Sequence, residues 1–225
     1  VTTLRAALLV LTKDLRIEFR TGEILVTVGL FAFLLTVLAS LSFYIDQNAS
    51  KQIAPGVLWI TITFSGVLAM GRSWMRERDQ DAMRGLLLTP IPRASIYIGK
   101  ALGALLFLTA VELMLLPLVT FFFQLDLIPI LGRLTSVLFL GTLGFVAAGT
   151  LFSAMSVRTN TRDLVLSIIL FPLVSPALLA GVVATRDLLA DAPLGDTLAW
   201  LRILAAFDIV FVAGSVVLFE PLTSD

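Results

Sequence analysis

The sequence predicts an all-α integral membrane protein with six transmembrane helices, and three observations lead there. First, 58% of the residues are hydrophobic and only 14% are charged, against about 25% charged in ordinary soluble domains. So few charges could not cover a water-facing surface of this size, whereas a surface facing hydrocarbon needs none. Second, the mean hydropathy of +1.01 is concentrated in long apolar runs, each near the ~20 residues that cross a bilayer. Third, the basic residues fall unevenly between alternate loops. Six spans would use about 120 residues, which leaves a single membrane domain over 1–225 with no folded soluble domain beside it.

The elements follow in order. Residues 1–20 read as an amphipathic helix lying in the membrane interface. Leu4, Leu8, Leu11, Leu15 and Phe19 recur at spacings of three and four, beside Arg5, Lys13, Arg16 and Arg20. Charges are spread through this stretch, so it is not expected to be a cleaved signal peptide. The expected spans cover 24–45, 53–71, 96–123, 134–155, 164–184 and 198–219, the fifth containing Pro172 and Pro176. The expected loops are Asp46–Gln52, Arg72–Arg93, Gln124–Gly132, Ser156–Asp163 and Thr185–Thr197.

Orientation follows from Lys and Arg placement. One side carries Arg5, Lys13, Arg16, Arg20, Arg72, Arg76, Arg78, Arg84, Arg93, Lys100, Arg158 and Arg162, and the other only Lys51, Arg133, Arg186 and Arg202. The richer side is expected to be cytoplasmic. An even number of spans then places both termini inside, with short loops outside.

Most catalytic chemistry is excluded by composition. The chain has no His and no Cys, which removes disulfides, thiol nucleophiles, imidazole bases and the usual zinc ligand sets. No metal site is expected. No G-x-x-x-x-G-K-[ST] phosphate loop is present. Nothing suggests nucleic-acid binding, and the expectation is a membrane subunit rather than an enzyme. Asn48-Ala49-Ser50 matches a glycosylation sequon, a pattern short enough to arise by chance.

The most charged stretch, 72–93, is the most informative. It has no Gly or Pro before Gly85, so a helix is allowed. Trp74, Met75, Arg78, Ala82, Gly85 and Leu86 are expected near one face. Arg76, Glu77, Asp79, Gln80, Asp81 and Arg84 are expected around the rest. Charges alternating in sign suit a surface that pairs with a partner, while the bland alternative is a solvated loop. The length favours docking, because connections in compact bundles are commonly a few residues. Arg72, Trp74, Arg76, Glu77, Arg78, Asp79, Asp81 and Arg84 are the candidate docking residues. Glu77 and Asp81, four apart, would share one face.

Ionisable residues inside spans point to function by default. Glu112 lies mid-way along the third span and Asp208 mid-way along the sixth, with Arg202 nearer the end of that span. A buried pair or a packing contact is the alternative for each. Gly99 and Gly103, and the run Gly141, Gly144, Ala147, Ala148 and Gly149, are expected to be close-packing surfaces.

Three pieces carry a family resemblance. They are Lys13-Asp-Leu-Arg-Ile-Glu-Phe-Arg20, the string Ile53-Ala-Pro-Gly-Val-Leu-Trp59, and Arg72 to Pro92 followed by Gly99-Lys100. In these the chain resembles the CcmB family, the permease subunit of the cytochrome c maturation haem exporter. The wider layout is similar to ABC-2-type permeases. Trp74 stands where members often have Phe, and the acidic residues expected near Gly71 and Arg84 are absent.

The resemblance implies a six-span half-transporter in the bacterial inner membrane. It would work with a separate ABC ATPase subunit and a second copy of itself, with 72–93 as the coupling helix. ATP would be used by the partner. The complex would export haem, or release a haem-loaded chaperone from a haem-handling membrane subunit. No cofactor is expected in this chain, because His and Cys, the commonest haem ligands, are absent. The other readings are an export permease for lipid, polysaccharide or drug, and a membrane scaffold that transports nothing.

Overall fold

A computed structural model describes residues 3–42, 47–79, 85, 91–158 and 164–222. The described residues form helices α1 (Thr3–Thr21), α2 (Glu23–Ser42), α3 (Gln47–Asp79), α4 (Arg93–Phe123), α5 (Leu131–Arg158), α6 (Leu164–Leu189) and α7 (Leu194–Leu222), with a 3-10 turn at Ile128–Ile130 before α5. No strand occurs among them. α2 to α7 each contain a stretch long and apolar enough to cross a membrane. The chain is therefore an all-α integral membrane protein with six spans.

Local chemistry sets the breaks. Gly22 takes a left-handed conformation at φ +61°, so α1 turns into α2 within one residue. Its N–H reaches the Glu18 carbonyl at 2.6 Å, and its own carbonyl accepts from Val26 at 2.9 Å. Pro92 precedes α4, and Gln124, left-handed at φ 54°, closes it by donating to the Thr120 carbonyl. Asp191 does the same job after α6 at φ 52°. Within α6, Pro176 cannot donate to the carbonyl of Pro172. The Ser175 hydroxyl donates to that carbonyl instead, at 2.8 Å, which keeps a polar group satisfied where no water reaches.

Several helices are longer than the spans read from sequence. α3 continues without interruption to Asp79, so the second span and the start of the charged stretch 72–93 are one rod. Most of the expected loop at Thr185–Thr197 is helical, because α6 runs to Leu189 and α7 starts at Leu194. Hydropathy marks where the bilayer lies, whereas a helix persists until a backbone group finds a cap. Residues 80–84, 86–90 and 159–163 lie outside the described residues. With them lie Asp81, Arg84 and Arg162.

Neighbouring helices alternate in direction. Ser40 near the end of α2 donates to Phe122 near the end of α4 at 2.9 Å, while Lys100 near the start of α4 meets Glu77 near the end of α3. α3 and α5 form the centre. Trp59, Ile62 and Met70 from α3 and Leu134, Phe145 and Ala148 from α5 are buried. The outer surface is apolar: Leu30, Phe33, Leu34 and Leu38 of α2 and Ile209, Val210, Val217 and Leu218 of α7 are exposed, as a lipid-facing surface requires.

Small residues let the centre close. A Cβ on Gly141 would come within 2.1 Å of the Trp59 ring, and one on Gly181 within 2.6 Å. Trp59 therefore lies in a cradle made by α5 and α6, and its Nε1 donates to Thr185 Oγ1 at 3.0 Å. Gly149 makes room for Met70 in the same way. Gly99 receives α1, with the Ala7 carbonyl and Val10 Cβ each 2.7 Å from where its Cβ would be. The expected packing role of these glycines is thus realised inside the subunit.

Candidate functional site

One end of the bundle is bound together by buried charge. Lys100 projects from α4 into the junction of α1, α3 and α4 with its side chain only 3% exposed. It contacts Asp14 Oδ2 at 2.8 Å and Glu77 Oε1 at 2.6 Å. Lys13 Nζ shares that Glu77 oxygen at 2.5 Å and lies 3.2 Å from Asp14. The Lys100 ammonium also sits 5.6 Å from the centre of the Trp74 ring, within reach of a cation–π contact. Burial works against the charged form of Lys13. The hydrogen bond to Glu77 and the charge of Asp14 outweigh it and lift its pKa above the ordinary value.

A second tier continues this network. Arg76 lies 3.6 Å from Glu18 and 3.4 Å from Glu23, and Arg72 lies 3.5 Å from Glu23. Glu18 also accepts from the Leu25 backbone N–H at 2.8 Å, one of the donors that the start of α2 leaves without an intrahelical partner. Acidic groups of α1 and α2 thereby hold the basic flank of α3. A lone ion would be too costly to bury here, and mutual neutralisation makes the burial tolerable, while one oxygen each of Glu18 and Glu77 accepts no hydrogen bond among the described residues.

This arrangement redistributes the candidate docking residues. Trp74 and Glu77, three apart on one face, are both turned inward and nearly fully buried. Trp74 and Met75 do not share a surface, because Met75 is exposed. Arg72 is exposed and Arg76 half-buried. Arg78 and Asp79 belong to α3 by backbone. The expectation that Glu77 and Asp81 jointly face a partner gives way to an internal role for Glu77. Helical periodicity placed Glu77 opposite the apolar face, but α1 and α4 supply cations on that side. Lys13, Asp14 and Lys100 escaped the candidate list. The available signal was Lys100 itself, a lone cation in an apolar stretch that required a counter-charge from elsewhere.

The two intramembrane carboxylates are both buried but not together. Glu112 on α4 accepts a hydrogen bond from the Thr142 hydroxyl of α5. Asp208 on α7 packs against Gly144 of α5, where a Cβ would lie 2.4 Å from Oδ1. Neither Asp208 oxygen has a hydrogen-bond partner among the described residues. Arg202 is exposed and forms no ion pair with it. Thr142 and Gly144 are two apart, about 200° around a helix, so the carboxylates approach α5 from opposite sides. Among the described residues no group of three or more His, Cys, Asp or Glu is placed to hold a metal ion.

Comparison with known proteins then places the chain. The profile of the family described as CcmB protein matches residues 5–219. The chain is 30% identical over 207 residues to the heme exporter protein B of Paracoccus denitrificans, covering 90% of this chain and 91% of that one. It is 26% identical over 200 residues to the heme exporter protein B of Pseudomonas aeruginosa, with 88% of each chain covered. To the protein of that name from Haemophilus influenzae it is 26% identical over 193 residues, covering 85% and 86%. A match over nearly the whole length, on a six-span helical bundle, leads to one conclusion: the chain belongs to the CcmB family.

Proposed function

We propose that this protein is the permease subunit of a haem-exporter complex acting in cytochrome c maturation, driven by a separate ATPase subunit. The observation that carries the reading is the family match across residues 5–219. The sequence is consistent with it, having six apolar spans and no loop that could cradle nucleotide phosphates. The ATPase docks on the basic end, which faces the cytoplasm of the inner membrane, and both termini lie on that side. A second copy completes the transport unit. ATP turnover drives haem export, or release of a haem-loaded chaperone from a haem-handling membrane subunit. With neither His nor Cys available, axial ligation of haem by those residues falls to other subunits.

Continuity of α3 supports this mechanism. The helix that crosses the membrane as the second span also carries Arg72 to Asp79. Its far end is clamped to α1 and α4 by Lys100 and Lys13. Force applied to the coupling segment therefore moves three helices together. Contact with the ATPase falls on the outward residues Arg72 and Met75 and on the stretch that follows. The test is ATP turnover by the purified chain alone, by the ATPase subunit alone, and by both together. The expected result is no hydrolysis by this chain and stimulated hydrolysis by the complex. Met75→Glu is expected to lower recovery of the ATPase in a pull-down without lowering the thermal midpoint of the permease. Hydrolysis by the pure chain, or equal ATPase recovery with and without it, would overturn the proposal.

A further inference from the structure

α1 sorts its charges by side. Both of its acidic residues turn inward, Asp14 to Lys100 and Glu18 to Arg76 and the Leu25 N–H. Lys13 follows them to Glu77. What remains outside is Arg5, Arg16 and Arg20, all exposed and without an ion-pair partner among the described residues. At 100° per residue the three fall within about 60° of one another, with exposed Leu9 among them. Beside this edge lies an apolar one. Leu4, Leu8, Leu11, Leu15 and Phe19 fall within about 80°, with Leu4 66% and Phe19 88% exposed.

The turn at Gly22 fixes where these edges lie. One residue separates α1 from Glu23, the first residue of a candidate span, so Phe19 and Arg20 stand at the boundary where the chain enters hydrocarbon. The helix cannot leave that level freely, because Ala6, Ala7 and Val10 are buried against α4. A cationic edge with no ion-pair partner among the described residues, next to an apolar edge at the bilayer boundary, is complementary to a phospholipid whose headgroup is anionic.

We infer that Arg5, Arg16 and Arg20 form a binding surface for anionic phospholipid headgroups, with Leu4, Leu8 and Phe19 resting on the acyl chains. The inference rests on α1 lying in the interface, and the experiment separates the two. Each guanidinium near an anionic surface contributes roughly a fivefold preference. The intact permease–ATPase complex is exchanged into an equal mixture of phosphatidylglycerol and phosphatidylcholine, and the lipids retained are counted by native mass spectrometry. Wild type is expected to retain the anionic lipid by about tenfold or more over the neutral one, undiminished by added inorganic phosphate.

The variant R5Q/R16Q/R20Q is expected to lose that preference at an unchanged thermal midpoint, while R133Q/R202Q keeps it. Because the chain has no Cys, Phe19→Cys accepts one fluorophore per permease chain when labelled before the ATPase is added. Quenching of it by brominated acyl chains reports interfacial placement whatever the headgroup. Quenching together with equal retention of the two lipids, or with a preference that survives in R5Q/R16Q/R20Q, would overturn the headgroup surface alone. Absence of quenching would overturn the interfacial placement and the surface with it. Loss of the preference on adding inorganic phosphate would reassign the site to a free anion.

Discussion

Lys100 is the residue on which the charged end depends. Among the described residues it is the only cation in direct contact with both Asp14 of α1 and Glu77 of α3 at under 3 Å. Lys100→Met would leave buried Glu77 and half-buried Asp14 with Lys13 alone, a change that costs up to about 3–5 kcal/mol. The expected result is a sharply lower thermal midpoint in detergent. Adding Glu77→Leu should restore part of the loss, because replacing both members of a buried pair with apolar groups is far milder than removing one. Lys13 adds a pH dependence of known sign. Its pKa is raised, so its share of the stability is intact below the ordinary lysine value and is lost as pH climbs through the raised one. The difference in thermal midpoint between wild type and Lys13→Met should therefore stay constant through neutral pH and shrink only in strongly alkaline buffer. Trp59 is the second pivotal side chain. Gly141→Ala places a methyl within 2.1 Å of its ring, and overpacking of this kind costs about 1–3 kcal/mol. Gly214→Ala meets nothing within 4 Å and should leave stability unchanged or slightly improved. Thermal melts of the two variants side by side check the contrast.

At the scale of elements, α1 and α3 behave as one device. α1 is amphipathic in two senses, since its inner face carries both the small residues that fit Gly99 and the acids that meet Lys100 and Arg76. Gly99→Val would push α1 off α4, because even a Cβ there lies 2.7 Å from the Ala7 carbonyl. Faster tryptic cleavage at Arg16 and Arg20, with the remaining helices still protected, is the expected outcome. α3 makes the complementary point. The pair Glu77 and Asp81 was legible as two acids on one helix face. Which way Glu77 points was decided by cations arriving from α1 and α4. Glu77→Ala is therefore expected to act on permease stability first, and a pull-down of the ATPase should be compared at matched amounts of folded protein.

For the whole molecule, one set of six spans with α3 and α5 at its centre is half of a transport unit in the proposed reading. Native mass spectrometry of the intact complex should give two permease copies for two ATPase subunits. A single copy with no other permease present would refute the pairing. The buried carboxylates Glu112 and Asp208 flank α5 from opposite sides, so they do not form one intramembrane site within a subunit.

The sequence by itself determined the solvent and the architecture. A chain so poor in charge must satisfy its backbone internally in lipid, and continuous apolar runs leave helices as the only way to do so. It also determined the family, through strings such as Ile53 to Trp59, and the basic end, through the uneven placement of Lys and Arg. Tertiary structure alone decided which charges are neutralised within the subunit. Lys100, Asp14 and Glu77 are far apart in the chain and belong to three helices, and a helical period gives a residue's face but not what that face meets. The same holds for Gly141 and Gly181, whose partner is a ring more than 80 positions away in one case and more than 120 in the other. Close packing and ion pairing are properties of groups brought together by the fold, so they become visible only once the helices are side by side.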